Sequence, residues 1–375
     1  MQRDLTNSIK EKAYKLGFNL VGISPVGDYP ESQYYKKWLN KGYEATMDYM
    51  AKNEEKRQDV RNLVPGAMSV ISCAINYNTD YHYSTAVKNP KKGWIARYAW
   101  GDDYHSVLKD KLNELKDYLT ENSNTGDEDR VYVDTGPVLE RMYAKYSGIG
   151  WIGKNTCLIN QGIGSWLLIG ELITTVELEY DSPAPERCGT CTKCIDSCPT
   201  DAITSPYVLD SSKCISYLTI ENKEGIPDEY REPMGNNIFG CDICQDVCPW
   251  NGEPVTGTES SFLPREGLFE PELEMLAGLD QQQFSGIFKN SPIKRSKRRG
   301  LLRNVLVAIG NNGDESFEDQ VLKLLGDEEP LIRKHAVWAL YKISGIKYKD
   351  TLNNMIIDEQ DEEVVDELKL VLSLL

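Results

Sequence analysis

The stretch Cys188-Gly-Thr-Cys191-Thr-Lys-Cys194-Ile-Asp-Ser-Cys198-Pro199 decides how this chain is read. Its spacing, C-x2-C-x2-C-x3-C-P, is the one by which bacterial ferredoxins ligate [4Fe–4S] clusters. The short loop wraps three corners of a cubane and leaves the fourth cysteine to serve a neighbouring cluster. A second run must then exist. The sequence supplies it as Cys241-x2-Cys244-x3-Cys248-Pro249, with its first member displaced to Cys214. Cross-ligation gives Cys188, Cys191, Cys194 and Cys248 to one cluster and Cys198, Cys214, Cys241 and Cys244 to the other, and no thiolate of the set is left over. Zinc sites use separated CxxC knuckles and do not require this run.

Working outward, the chain has 375 residues, enough for two or three domains. Eight of its ten cysteines lie between Cys188 and Cys248, while Cys73 and Cys157 stand alone and read as core residues. The N-terminal MQRDLTNSIKEK has no apolar signal core, and no apolar stretch reaches the length of a membrane span. A cytoplasmic location is expected, where clustered thiolates mean metal and not disulfides. The formal net charge of −16 argues against a uniformly basic nucleic-acid binder but leaves room for a local basic patch. With only three histidines (His82, His105 and His335) there is no HExxH and no paired-histidine metal site.

The periodicity predicts an α+β region over 1–180. Leu5, Ile9, Ala13 and Leu16 mark a helix stopped by Gly17. Strands are expected at 18–24, 68–75, 131–133 and 165–178. Leu108, Leu112, Leu115 and Leu119 mark an amphipathic helix, and a further helix runs from Pro137 through Tyr146. Residues 181–255 form the cysteine unit. Residues 256–375 read as all-helical, with a helix stop at Gly310-Asn311 and a last helix near Val364–Leu375. Arg303-Asn-Val-Leu-Val307 recurs as Arg333-Lys-His-Ala-Val337, a period near thirty that fits a short HEAT-like array.

One motif misleads. Gly148-Ile-Gly150-Trp-Ile-Gly153 matches GxGxxG, but a helix precedes it where a dinucleotide fingerprint needs a strand. Extended to Lys154 it nearly makes a phosphate-binding loop, yet Asn155 stands where Ser or Thr must hold Mg²⁺. Glycines packed against something flat and bulky remain the alternative.

Several blocks together resemble the epoxyqueuosine reductase family. They are Arg97-Tyr-Ala99, Gly101-Asp-Asp-Tyr-His105, Val133-Asp-Thr-Gly-Pro-Val-Leu-Glu-Arg141, Gly150-Trp-Ile-Gly-Lys-Asn-Thr156, Gly164-Ser-Trp166, Lys213-Cys-Ile-Ser-Tyr-Leu-Thr-Ile-Glu221 and Ile238-Phe-Gly-Cys-Asp-Ile-Cys-Gln-Asp-Val-Cys-Pro-Trp-Asn251. The blocks run in order over nearly the whole chain, and the cysteine set matches throughout. The resemblance implies a nitroreductase-like cobalamin domain (1–180), a ferredoxin-like two-cluster module (181–255) and a HEAT-like tRNA-gripping module (256–375). It implies base-off cob(II)alamin without a histidine ligand, and reduction of epoxyqueuosine to queuosine at the wobble position of tRNA, where an acid must protonate the departing oxygen.

Asp134 matches the family's proton donor and a cofactor-contact position, and Arg57, Arg97 and Ser216 resemble positions near the corrinoid. An acid at Asp134 needs a pKa raised by burial, whereas local sequence reads it as a helix N-cap. Arg141, Asn222 and Lys223 are candidates for substrate tRNA. The residues themselves add a basic stretch without an acid, Lys294, Arg295, Lys297, Arg298, Arg299 and Arg303, echoed by Arg333 and Lys334 in the next repeat. The implied partners are an anticodon stem-loop and an electron donor such as a flavodoxin or ferredoxin, and the chain reads as a monomer. Two rival readings are another corrinoid iron–sulfur reductase, such as a reductive dehalogenase, and a non-enzymatic electron-transfer adaptor.

Overall fold

The structure, a computed structural model, describes residues 2–123, 128–253 and 255–375. It divides into two units. The first gathers Met1–Tyr81, Asp102–Ser212 and Ile243–Leu263; the second gathers His82–Gly101, Lys213–Asp242 and Pro264–Leu375. The cysteine-rich stretch expected as one module over 181–255 is therefore shared between the two units.

The first unit is built on an antiparallel sheet of β1 (Leu20–Pro25), β2 (Ser69–Asn76), β3 (Arg130–Tyr132) and β4 (Leu167–Thr174), in the order β1-β2-β4-β3. All eight residues of β2 are buried, as expected of a central strand covered on both faces. The pleat sends alternate side chains to opposite faces. Gly170 of β4 faces the helix Tyr104–Ser123, where a Cβ would stand 2.5 Å from a methyl of Leu112. Cys73 pairs with Gly170 and is a core residue, as the sequence reading expected. Ala74, one residue on, packs on the opposite face against Ala144 of the helix Glu140–Tyr146. The four predicted leucines of the helix Tyr104–Ser123 are all buried.

Glu171 of β4 lies fully enclosed opposite Ser72, whose hydroxyl donates to Oε2 at 2.7 Å. Burial pushes its carboxyl well above the usual range. The folded chain therefore keeps a proton that the unfolded chain releases once pH passes the ordinary carboxylate range, so this group costs stability as pH rises. Glu171→Gln is expected to match the native chain near pH 5 and to exceed it increasingly towards pH 8. The limit is about 1.4 kcal/mol per pH unit, read by thermal unfolding across that range.

The second unit is dominated by the helices Lys297–Asn312, Glu318–Leu324, Pro330–Ser344, Lys349–Asp358 and Glu362–Leu374. The first of these does not stop at Gly310-Asn311. It runs on to Asn312 and ends at Gly313, whose φ of +71° suits a glycine C-cap. Gly310 sits inside the helix because the Trp338 ring lies against it, 2.2 Å from where a Cβ would be. That is the flat, close packing two helices of a repeat require.

The same helix holds the segment Lys213–Asp242. Fully buried Arg303 donates to the carbonyls of Leu218, Asn222 and Glu224, and Asn304 donates to those of Thr219 and Ile238. Arg231 forms a buried two-pronged pair with Glu367 of the last helix, at 2.6 and 2.8 Å. A short parallel pair, Asn237–Phe239 with Trp94–Ile95, completes the frame.

Among the described residues no helix is long and apolar enough to cross a membrane.

Candidate active site and cluster ligands

In the first unit Asp134 follows β3 on a tight turn, with φ of +55°. A left-handed conformation is uncommon for a residue with a Cβ and is best tolerated by Asn and Asp. The sequence placed Asp134 at the entrance of a helix starting near Pro137. The helix instead begins at Glu140, after the N-cap Leu139, so the N-cap reading of Asp134 does not hold. The intervening turn is closed by the Asp134 amide, which donates to Glu140 Oε1 at 2.5 Å.

The Asp134 carboxylate receives the Tyr104 hydroxyl at 2.8 Å, and His105 Nε2 lies 3.4 Å away. Asp103 accepts from the His105 amide and bonds the ring at Nδ1, 2.7 Å away, which fixes the imidazole at the start of its helix. Burial alone would lower the His105 pKa. The hydrogen bonds to Asp103 and Asp134 outweigh it and push the ring up to about 9. Desolvation of its carboxyl, reinforced by the Asp134 charge, pushes Glu140 up to about 8. At neutral pH a cationic imidazole and a neutral carboxylic acid therefore flank Asp134. Its own side chain is 61% exposed, so the burial expected of an acid at this position is absent here.

Tyr104, His105 and Glu140 were quoted in the family blocks but given no role. The signal for His105 was its place beside paired aspartates in a chain with only three histidines. The other two do different work. His335 is buried, accepts the Ile226 amide and is held well below the usual range by burial, while His82 pairs with Glu270.

Arg57 is buried beside the same turn. Its guanidinium meets the carbonyls of Gly136 and Tyr49 only at 3.4 and 3.5 Å, and its Nε meets no acceptor. Among the described residues no carboxylate pairs with it. A loosely held buried guanidinium suits a ligand rich in amides and phosphate. In the second unit Arg97 is 1% exposed, donates to the His82 carbonyl and lies over the Trp100 ring. Ser216, in the same unit, precedes the turn Tyr217–Glu221.

Four thiols of the first unit, Cys188, Cys191, Cys194 and Cys248, are neighbours. Cys248 packs with Cys188 around Trp151 and Trp250, and it shares an electrostatic environment with Cys188 and Cys194, which in turn feels Cys191. No three His, Cys, Asp or Glu side chains among the described residues converge closely enough to hold a single metal ion. Cys198 and Cys244 belong to the first unit, Cys214 and Cys241 to the second.

The basic residues separate into two kinds. Arg303 leaves the predicted surface because it is wholly enclosed by the carbonyls it holds. Asn222 is likewise buried, bonded to the Gly225 carbonyl. Lys294, Arg295 and Lys297 are exposed. Arg295 pairs with Glu221, Arg298 with Asp327, Arg299 with Glu329, Arg333 with Glu359 and Lys334 with Glu363. Lys223 donates to the Ile220 carbonyl, and Arg141, exposed in the first unit, donates to that of Thr156.

The chain matches three sequence families: "Epoxyqueuosine reductase QueG, DUF1730" over residues 57–135, a 4Fe-4S double cluster binding domain over 187–251, and HEAT repeats over 294–373. An epoxyqueuosine reductase of Xanthomonas campestris is 39% identical over 340 residues, which cover 90% of this chain and 96% of that one. This chain belongs to the epoxyqueuosine reductase family. It is an oxidoreductase, and its fold is that of the family. A crystal structure of epoxyqueuosine reductase with an epoxyqueuosine-modified tRNA-Tyr stem loop superposes with a TM-score of 0.93 at 30% identity, covering 99% of this chain and 98% of that one. An epoxyqueuosine reductase from Bacillus subtilis, described with its Asp134 catalytic loop swung out of the active site, superposes with a TM-score of 0.91 at 30% identity over 99% of both chains.

Proposed function

We propose that this epoxyqueuosine reductase acts on epoxyqueuosine in the anticodon stem-loop of tRNA, at Asp134, with cobalamin as resident cofactor of residues 1–180. Residues 181–255 would hold two [4Fe–4S] clusters able to supply the electrons, and the helices of 256–375 grip the tRNA. The observation that carries this reading is the arrangement of Tyr104, His105 and Glu140 around Asp134 in a family that reduces an epoxide. Removing the epoxide oxygen takes two electrons and two protons and releases water. Cobalamin, when bound, supplies a reduced cobalt able to attack or reduce the epoxide.

The chain's own residues manage the protons. An alkoxide leaves poorly, so a proton must be waiting where the oxygen departs. His105 stays cationic and Glu140 stays neutral at physiological pH; His105 lies beside the Asp134 carboxylate, while Glu140 accepts the Asp134 amide. Asp134 passes the proton to the departing oxygen, His105 replaces it, and the neutral Glu140 beside the turn is a second proton store. Arg57 would hold the cofactor periphery next to this turn. Lys294, Arg295, Lys297 and Arg299, with Arg298, Arg333, Lys334, Lys223 and Arg141, supply the phosphate-facing charge that an acidic chain needs locally. The electron donor is a small redox protein of the flavodoxin or ferredoxin kind, and the enzyme works as a cytoplasmic monomer.

The test is anaerobic incubation of epoxyqueuosine-bearing tRNA with the protein, cobalamin and a strong reductant, followed by mass measurement of the digested nucleosides. The expected result is loss of one oxygen's mass, dependent on cobalamin. No loss from protein holding both clusters and cobalamin would overturn the substrate. Failure to bind cobalamin would overturn the cofactor.

A further inference from the structure

The near-match to a phosphate loop, Gly148 to Lys154, is left without a role by the reaction, yet it lies against the first cluster's cysteines. Trp151 is 2% exposed and packs with Cys188, Cys248 and Trp250, its ring 5.1 Å from that of Trp250. Its indole Nε1 is buried and meets no hydrogen-bond acceptor among the described residues. The Cys188 side chain packs against the apolar cluster that holds this ring, and its sulfur is able to accept the N–H once it is a thiolate. The Lys154 side chain is 9% exposed, and its ammonium donates to the carbonyls of Gly189 and Cys191 at 2.6 and 3.0 Å, inside the ligating loop. Among the described residues no carboxylate pairs with this ammonium. An uncompensated buried cation and an unused buried N–H are both costly unless an acceptor of negative charge completes them.

We propose that Trp151–Lys154 sets the reduction potential of the first cluster, Trp151 by donating its indole N–H to the Cys188 sulfur and Lys154 by placing its ammonium against the same loop. The inference rests on the ligand set Cys188, Cys191, Cys194 and Cys248. A thiolate-bound cluster gains one negative charge when it takes up an electron. Hydrogen bonds to its sulfurs and a nearby cation favour that reduced form and raise the potential. One opposing charge is present: Glu186 accepts the Cys188 amide beside the same sulfur. It is exposed, so water and salt weaken it, whereas the buried donor and ammonium act at low dielectric. The motif that resembles a phosphate cradle thus serves a different anion.

The test is an anaerobic redox titration of the full-length protein with both clusters assembled, using mediators and dithionite as the electron source and the EPR signal of the reduced clusters as readout. Two one-electron midpoints are expected in the native chain. Trp151→Phe and Lys154→Met should each move one midpoint to more negative potential and leave the other in place, and Lys154→Arg should restore it. Unmoved midpoints in both variants at full iron and sulfide content would overturn the proposal, as would an upward shift. Loss of one cluster's iron from both variants would make the segment a packing element and overturn it equally. A titration showing no cubane signal in the native chain would sink the cluster assignment itself, a separate failure.

Discussion

Asp134→Asn is expected to abolish turnover of epoxyqueuosine-tRNA, by roughly 10²–10⁴-fold in kcat, while iron content and cofactor binding stay at native levels. The substitution keeps the shape of the turn and the contact with the Tyr104 hydroxyl, and it removes only the group that carries a proton. A smaller loss, below about tenfold, would mean that the proton reaches the departing oxygen by another route. The pH profile gives an independent check. Glu140, held up to about 8, and His105, held up to about 9, lose their protons in turn on the alkaline side. Single-turnover rates should therefore fall as pH rises through that window. His105→Gln should flatten the later part of the fall and Glu140→Gln the earlier part. A profile unchanged by both would remove these two residues from the proton path.

Glu367→Ala is expected to cost about 3–5 kcal/mol, because it leaves the buried Arg231 guanidinium with only the exposed Asp228 carboxylate, 3.5 Å away, as a charged partner. Arg231 is 3% exposed, and its two nitrogens reach both oxygens of the Glu367 carboxylate. Replacing both partners by apolar residues of similar volume, Arg231→Met with Glu367→Leu, should recover most of the loss, since no orphaned charge then remains. Denaturant unfolding measures both variants. A double variant no more stable than the single one would show that the pair contributes through geometry that apolar packing cannot replace.

Much of this was legible in the sequence, for physical reasons that differ from place to place. The cluster ligands were readable because cubane geometry dictates cysteine spacing directly. The helix Tyr104–Ser123 was readable because four leucines at helical intervals must face one side, and all four are buried. Gly310 was misread because local propensity treats glycine as a stop, while the Trp338 ring that requires it comes from a helix about thirty residues later. The start of the helix Glu140–Tyr146 was misplaced because Pro137 fits a first turn locally. The bond from the Asp134 amide to Glu140 draws the preceding residues into a turn. Arg303 illustrates the limit most plainly. In sequence it belongs to a run of cations that looks solvated. In the fold it is an internal fastening for a segment some eighty residues earlier, and no periodicity distinguishes it from its exposed neighbours Lys294 and Lys297.

That fastening governs where the gene can be cut. The sequence invites a shortened version ending near residue 255, with the helices discarded as a separable appendage. Such a deletion would strip Arg303, Asn304 and Glu367 from the Lys213–Asp242 stretch they grip, and with them the support beneath Cys214 and Cys241. A truncated protein should then be purified pale and iron-poor. The helices that the sequence presents as a handle for a substrate are also scaffolding without which a metal-bearing segment loses its shape.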